Sequence, residues 1–353
     1  MSRYDLDRAA LAALLQDLGE PSYRAGQVWD GLYRRLAEPD ELTELPKGVR
    51  GALALDDRLA PGLELAHRST ADRGNTVKWL WGLAGGARIE TVLMHYPGRS
   101  TVCVSTQAGC AMACGFCATG QAGFERHLSS GEIVEQVIRA GREAAGAGRR
   151  VSRVVFMGMG EPLANYDAVM TSVTRLHDDV GLSARHLTLS TVGIAPGIRR
   201  LAGEALPVNL AVSLHAANDA LRDELVPINR RYPLAELVDA CQTYLAAKGR
   251  RLSFEWALIS GVNDRAGDAA ELAGLARTLG AHVNLIPLNP TPGFGVPGTP
   301  PSGVRVFRDR LVGMKVNVTV RQTRGTSIDA ACGQLAARTR PPGSTSRSRT
   351  ATL

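Results

Sequence analysis

The chain has 353 residues, 44% hydrophobic and 21% charged, with a formal net charge of +7 in which arginine greatly outnumbers lysine. These proportions describe a soluble globular protein, long enough for one large α/β domain and an accessory piece. They argue against a membrane-embedded chain, and the basic excess suits a polyanionic partner such as RNA.

The first residues, "MSRYDLDRAALAALLQDLGE", are charged and amphipathic and lack the apolar core and cleavage site of a signal peptide, so the expected location is cytoplasmic. Residues 1–62 form the first expected unit, a helical accessory domain. "RAALAALLQDLG" and "AGQVWDGLYRRLA" place apolar residues at helical spacing, with "EPSY" as the break between them. The arginines and aromatics of "YRAGQVWDGLYRR" suit RNA phosphates and bases, while Trp29 and Tyr33 equally suit packing against the rest of the chain. Residues 63–95 turn to strands: "TVKWLWGL" and "RIETVLMHY" flank "AGGA" as a β-hairpin extension.

Over 96–336 strands and helices alternate. Strands are expected at "TVCVST", "RVVFMGM", "HLTLSTV", "VNLAVSLH", "LSFEWALI" and "HVNLIPLN", then at "VNVTVRQT", with amphipathic helices between them. That order implies repeated βα units around a parallel sheet, closed or partly closed into a barrel. Residues 337–353 are basic and of low complexity, and are expected to be a disordered tail. Polar residues, glycines and prolines collect after nearly every strand, as in "GEPL", "STVG", "SLHA" and "LNPTPG". In βα barrels this is the catalytic face.

"CAMACGFCATG" also follows a strand, and sets Cys110, Cys114 and Cys117 at C-x3-C-x2-C spacing. Thiolates are soft ligands for zinc or iron–sulfur clusters. A closed structural zinc site takes four ligands, and no second cysteine pair is present, although His215 could supply a cap. An iron–sulfur cubane needs only three if one iron stays open for a ligand. Six cysteines in so long a chain indicate metal binding or catalysis in a reducing compartment rather than a disulfide framework. Cys241, within "VDACQTYL", fits a buried apolar position.

The loop resembles that of radical S-adenosylmethionine (SAM) enzymes. "CGFCATGQ", "GMGEPLANY", "LTLSTVG", "NLAVSLHA", "INR", "NLIPLNP" and "RGTSIDAACGQL" together are similar to the radical SAM adenine C2-methyltransferases that act on 23S rRNA and tRNA. The resemblance runs from Tyr23 to Leu335. It implies a partial (β/α)6 TIM-like barrel, a [4Fe–4S] cluster held by Cys110, Cys114 and Cys117, and two SAM molecules per turnover. SAM itself would chelate the open iron. The resemblance places Gly160, Glu161, Ser190, Ser213, Leu214, His215 and Asn289 around SAM. It implies that Cys332 carries a methyl group and becomes linked to the RNA, that Glu90 accepts the C2 proton, and that Cys103 resolves the link through a transient disulfide with Cys332. It further implies an electron donor such as flavodoxin or ferredoxin, no membrane partner, and a monomeric enzyme. Two alternatives remain at this point: C8 methylation of the same rRNA adenine, and a zinc-stabilised RNA-binding protein.

Overall fold

A computed structural model describes residues 2–337, so the basic tail, apart from Ala337, lies outside the described residues. The amino-terminal unit contains α1 (Arg8–Asp17), α2 (Arg24–Tyr33) and α3 (Lys47–Leu55). Asp7 caps α1 by accepting from the Ala10 amide at 2.7 Å, and Leu11, Leu14 and Leu15 form its buried stripe. Trp29 and Tyr33 of α2 stack at 4.5 Å, and the Trp29 indole N–H donates to Asp179 at 2.8 Å. Both rings are buried, so their role is packing, and neither is available to an RNA base.

Strands β1 (Glu64–Ala71), β2 (Thr76–Gly82), β3 (Arg88–Tyr96) and β4 (Arg99–Cys103) pair antiparallel in succession. The expected hairpin is β2–β3. β1 adds a third strand that the sequence hides, because its residues are mostly exposed and show no apolar alternation. A small two-stranded sheet, β5 (Gln107–Gly109) and β6 (Phe124–His127), brackets the cysteine loop and the short α4 (Ala118–Ala122).

The βα alternation then runs α5 (Ser130–Gly146), β7 (Val151–Phe156), α6 (Tyr166–Asp178), β8 (Leu187–Thr191), α7 (Ala195–Gly203) and β9 (Asn209–Ser213). It continues with α8 (Asp219–Leu225), α9 (Leu234–Lys248), β10 (Leu252–Leu258), α10 (Ala266–Leu279), β11 (His282–Pro287), α11 (Pro301–Gly313) and β12 (Val318–Val320). From β4 through β7, β8, β9, β10 and β11 to β12 every neighbouring pair is parallel. This is the expected partial barrel of six strands, with β12 as a short seventh. The sheet of ten strands does not close, since β1 and β12 are its two edges.

The segment from Arg321 to Ala337 straps the open side. Gly325 donates its amide to Asp72 at 3.1 Å, Lys78 donates to the Asp329 carbonyl at 3.3 Å, and Ala118 donates its amide to the Gly333 carbonyl at 2.8 Å. No helix among the described residues is long and apolar enough to cross a membrane.

Candidate active site

A cavity opens at the C-terminal ends of the parallel strands, lined by Cys110, Cys114 and Cys117 on one side and Cys332 on the strap. The cysteine loop holds its shape through two backbone devices. Ala113 adopts left-handed backbone with φ 55°, and the Cys117 amide donates to the Cys114 carbonyl at 3.1 Å. Gly120 lets α4 lie against this loop, because a Cβ there would stand 2.8 Å from the Cys114 carbonyl oxygen.

Burial raises the Cys110 thiol to about 12 and also pushes the Cys114 thiol up, with the neighbouring cysteines and Glu161 acting in the same direction. A soft metal displaces such protons, so this donor set suits a cation that binds thiolates. No three His, Cys, Asp or Glu side chains among the described residues gather around one ion-sized point. The three thiols share the wall of one cavity. The residues therefore fit an iron–sulfur cluster with one side open to the cavity.

Of the residues assigned to SAM, Gly160, Glu161, Ser190, Ser213, His215 and Asn289 line this cavity. Leu214 does not. Side chains alternate along β9, so Ser213 faces the cavity while Leu214 is buried in the hydrophobic core and contributes backbone bonds only. Ser190 and Ser213 meet across β8 and β9, with oxygens 3.4 Å apart.

Gly160 has φ +95°, and a Cβ on it would come within 2.5 Å of Gln107. The Gln107 side-chain oxygen accepts the Glu161 amide at 2.8 Å, fixing the turn to β5. Glu161 accepts from the amides of Leu163 and Val192, at 3.0 and 2.8 Å. Burial raises its carboxyl to about 7 despite those bonds. Gly160→Ala should therefore weaken SAM binding to the reconstituted protein by roughly tenfold or more, since the φ and the Gln107 contact both oppose a methyl group. Equilibrium dialysis with SAM reads this, and unchanged affinity would remove the turn from the binding site.

His215 also has positive φ, 59°. Its Nδ1 accepts the Ala257 amide at 3.0 Å, which leaves the hydrogen on Nε2. Burial, with Arg222 as a second cause, lowers its pKa to about 3, so it is a neutral donor rather than an acid or base near neutrality.

Cys103 ends β4 and faces a smaller cavity that it shares with Cys332, Asn289 and Arg321. Burial raises the Cys103 thiol to about 12, with Cys332 adding to the shift and Arg321 opposing it. All six cysteines are free thiols, so no disulfide joins this pair in the structure. Asn289 donates to the Cys332 carbonyl at 3.0 Å and so ties the strap to β11.

Glu90 lines neither cavity. It is buried against the strap, paired with Lys78 at 2.8 Å and accepting the Ala336 amide at 3.0 Å. Burial raises its carboxyl while Lys78 opposes the shift. Cys241 is buried in α9, away from these groups, as its sequence context suggests.

Three residues escaped the sequence patterns. Arg321 follows β12, where the collection of polar residues after strands offered a signal. Glu255 sits inside β10, and Arg222 on α8 resembles a solvated helix charge. Glu255 accepts from Asn284 at 2.7 Å on the cavity wall, and Arg222 is fully buried behind it.

The Radical SAM superfamily matches residues 104–273. A probable dual-specificity RNA methyltransferase RlmN from Frankia alni is 53% identical over 346 residues, covering 94% of this chain and 82% of that protein. The dual-specificity RNA methyltransferase RlmN 1 of Myxococcus xanthus is 52% identical over 337 residues, covering 95% and 94%. The crystal structure of a radical SAM methyltransferase from Sphaerobacter thermophilus superposes with a TM-score of 0.91 at 49% identity, covering 96% of this chain and 100% of that one. The cysteine loop, the strand-end cavity and these near full-length matches agree: the chain belongs to the RlmN-type dual-specificity RNA methyltransferase family of the radical SAM superfamily.

Proposed function

We propose that this protein methylates C2 of an adenine in the peptidyl-transferase centre of 23S rRNA and C2 of an adenine in tRNA, using Cys332 as an intermediate methyl carrier. One observation carries the proposal. The cluster loop, the SAM-facing strand ends and Cys332 border one cavity, while Cys103 meets Cys332 in the adjoining one.

Cys110, Cys114 and Cys117 hold the cluster, whose bound form supplies the electron that cleaves SAM reductively. Gly160, Glu161, Ser190, Ser213, His215 and Asn289 position SAM. Adenine C2 lies between two ring nitrogens and is too electron-poor to attack a methyl donor directly. A thiolate is a strong nucleophile, so Cys332 takes the methyl group first. Arg321 lies in the field of Cys332, and that interaction is the leading cause of its raised pKa.

The link of Cys332 to RNA through that carbon would cost the methyl group one hydrogen atom, taken by the radical that reductive SAM cleavage would supply, and the adduct one electron. Release then needs loss of the C2 proton and attack of Cys103 on the Cys332 sulfur, which breaks the sulfur–carbon bond and leaves the carbon to take a proton as the new methyl group. Glu90 accepts the proton. Its raised pKa makes it a stronger base than an exposed carboxylate, and its bond to Ala336 couples access to it with movement of the strap. The Cys103–Cys332 disulfide left behind is then reduced by cellular thiols. Glu90→Gln should slow release by roughly 10²-fold or more and let the linked RNA accumulate. Denaturing electrophoresis reads the linked species, and normal turnover would reassign the base.

The enzyme acts in the cytoplasm as a monomer, with flavodoxin or ferredoxin as electron donor. Anaerobic purification should give a brown protein absorbing near roughly 400 nm. Nucleoside mass spectrometry of 23S rRNA and tRNA from cells lacking the gene tests the activity: loss of 2-methyladenine supports it. Loss of an 8-methyl isomer, or a colourless protein holding one zinc ion, overturns it.

A further inference from the structure

The barrel face opposite the cavity carries charge that the proposed chemistry does not use. Six exposed cations stand at the N-terminal ends of the parallel strands. Arg99 opens β4, Arg150 and Arg153 flank the start of β7, Arg185 precedes β8, Arg251 precedes β10, and Lys315 precedes β12. None of the six takes part in an ion pair among the described residues.

Strand register sets them along one edge. Thr101 pairs with Arg153, Val154 with Leu187, Leu210 with Leu252, and Val283 with Val318. With neighbouring strands ~4.8 Å apart, the arc from β4 to β12 spans roughly 30 Å.

Composition does not account for this edge. Without the four arginines beyond Ala337, the chain has 37 Lys and Arg against 34 Asp and Glu. The body is thus close to neutral, and several of its acids are paired away from this edge. Glu38, Glu41 and Glu135 pair with Arg3, Arg142 and Arg139 where the amino-terminal unit meets α5. Attraction to helix C-termini acts within the last turn. Arg150, Arg185 and Arg251 lie past their helix caps, Ala147, Asp179 and Gly249.

We infer that the N-terminal edge of the barrel binds the phosphate backbone of the substrate RNA, at a segment away from the target base. The inference rests on the RNA methyltransferase reading above and adds a second contact to it. Strands of five to seven residues make the barrel wall roughly 20 Å deep, so RNA entering the cavity reaches this edge only if it extends well past the target loop. A long folded RNA can do so; a minimal hairpin cannot.

The test compares the wild-type holoenzyme with a quadruple variant, Arg150→Glu, Arg153→Glu, Arg185→Glu and Arg251→Glu, and with the same four positions changed to Lys. Affinity for protein-free full-length 23S rRNA is measured across a salt series, and methylation is followed on that RNA and on a short hairpin carrying the target adenine. The Glu variant should bind full-length RNA at least roughly tenfold more weakly, with a salt slope lower by about 3 for four lost phosphate contacts, and should methylate the hairpin normally. The Lys variant should match wild type. Unchanged affinity and slope in the Glu variant, or an equal loss in the Lys variant, overturns the inference. Wild-type protein that binds both RNAs and methylates neither sinks the activity instead, and leaves the binding comparison intact.

Discussion

Cys332→Ala will abolish methyl transfer, by roughly 10⁴-fold or more, while leaving the fold and the iron–sulfur cluster in place. The loss follows from the chemistry, because without the sulfur no residue on the cavity wall both takes a methyl group and presents it to an electron-poor carbon. The sparing of the fold follows from position. Cys332 is half-buried on a strap, and the contact that fixes it there is its backbone carbonyl, which accepts from Asn289. An alanine keeps that carbonyl. Cys103→Ala should give the opposite phenotype, with one RNA per chain surviving denaturation as a covalent adduct. On the proposed mechanism Cys103 enters only after the link has formed, so its loss blocks release rather than attachment. Normal turnover by Cys103→Ala would remove the resolving role, and methylation by Cys332→Ala would remove the carrier. Cys241→Ala is the matched control: it deletes a thiol buried in α9 and should leave both steps intact.

The cluster loop was legible because three thiols at short spacing in one segment carry a chemical meaning that survives without a structure. The barrel was legible for a related reason, since apolar strands and amphipathic helices alternate over a long stretch. Groups whose meaning depends on distant partners were harder to see. Arg321 comes beside Cys332 and Cys103 only once the fold is in place, and no motif marked it. Leu214 shows the limit of reading a motif as a block. It sits between two cavity residues, but strand alternation turns its side chain into the core. Trp29 and Tyr33 suited either RNA or packing at helical spacing, and the fold takes the second by burying them against α6. β1 stayed hidden because both of its faces are largely wet, so no period marks it.

The second large effect is expected at Arg222, which touches neither the strap nor the cavity. Its side chain is fully buried and spans three carbonyls and an amide. It donates to the carbonyls of Leu214 at 3.1 Å, Val192 at 2.6 Å and Ser213 at 3.4 Å, and to the side-chain oxygen of Asn229 at 2.7 Å. Those carbonyls belong to the C-terminal ends of β8 and β9, where Ser190, Ser213 and His215 must be held. Asn229 in turn donates to Asp219 at 2.9 Å and Asp223 at 2.7 Å, so the guanidinium anchors a small acidic network. Burial lowers the Arg222 pKa to about 10, with Cys114, Asp219, Cys241 and Asp223 opposing that shift, and the group stays charged near neutrality. Arg222→Ala strands these acceptors in a dry site and should cost about 3–5 kcal/mol, close to the loss from breaking a buried ion pair. For a domain of this size that lowers Tm by roughly 10 °C. Arg222→Lys should recover little, because one ammonium cannot reach acceptors arranged for a planar fork. Since the same positive charge favours the Cys114 thiolate, the alanine variant should also lose cluster absorbance faster under chelator, at a temperature where it remains folded. A melting point within about 2 °C of wild type would show that Arg222 does not hold the two strand ends together.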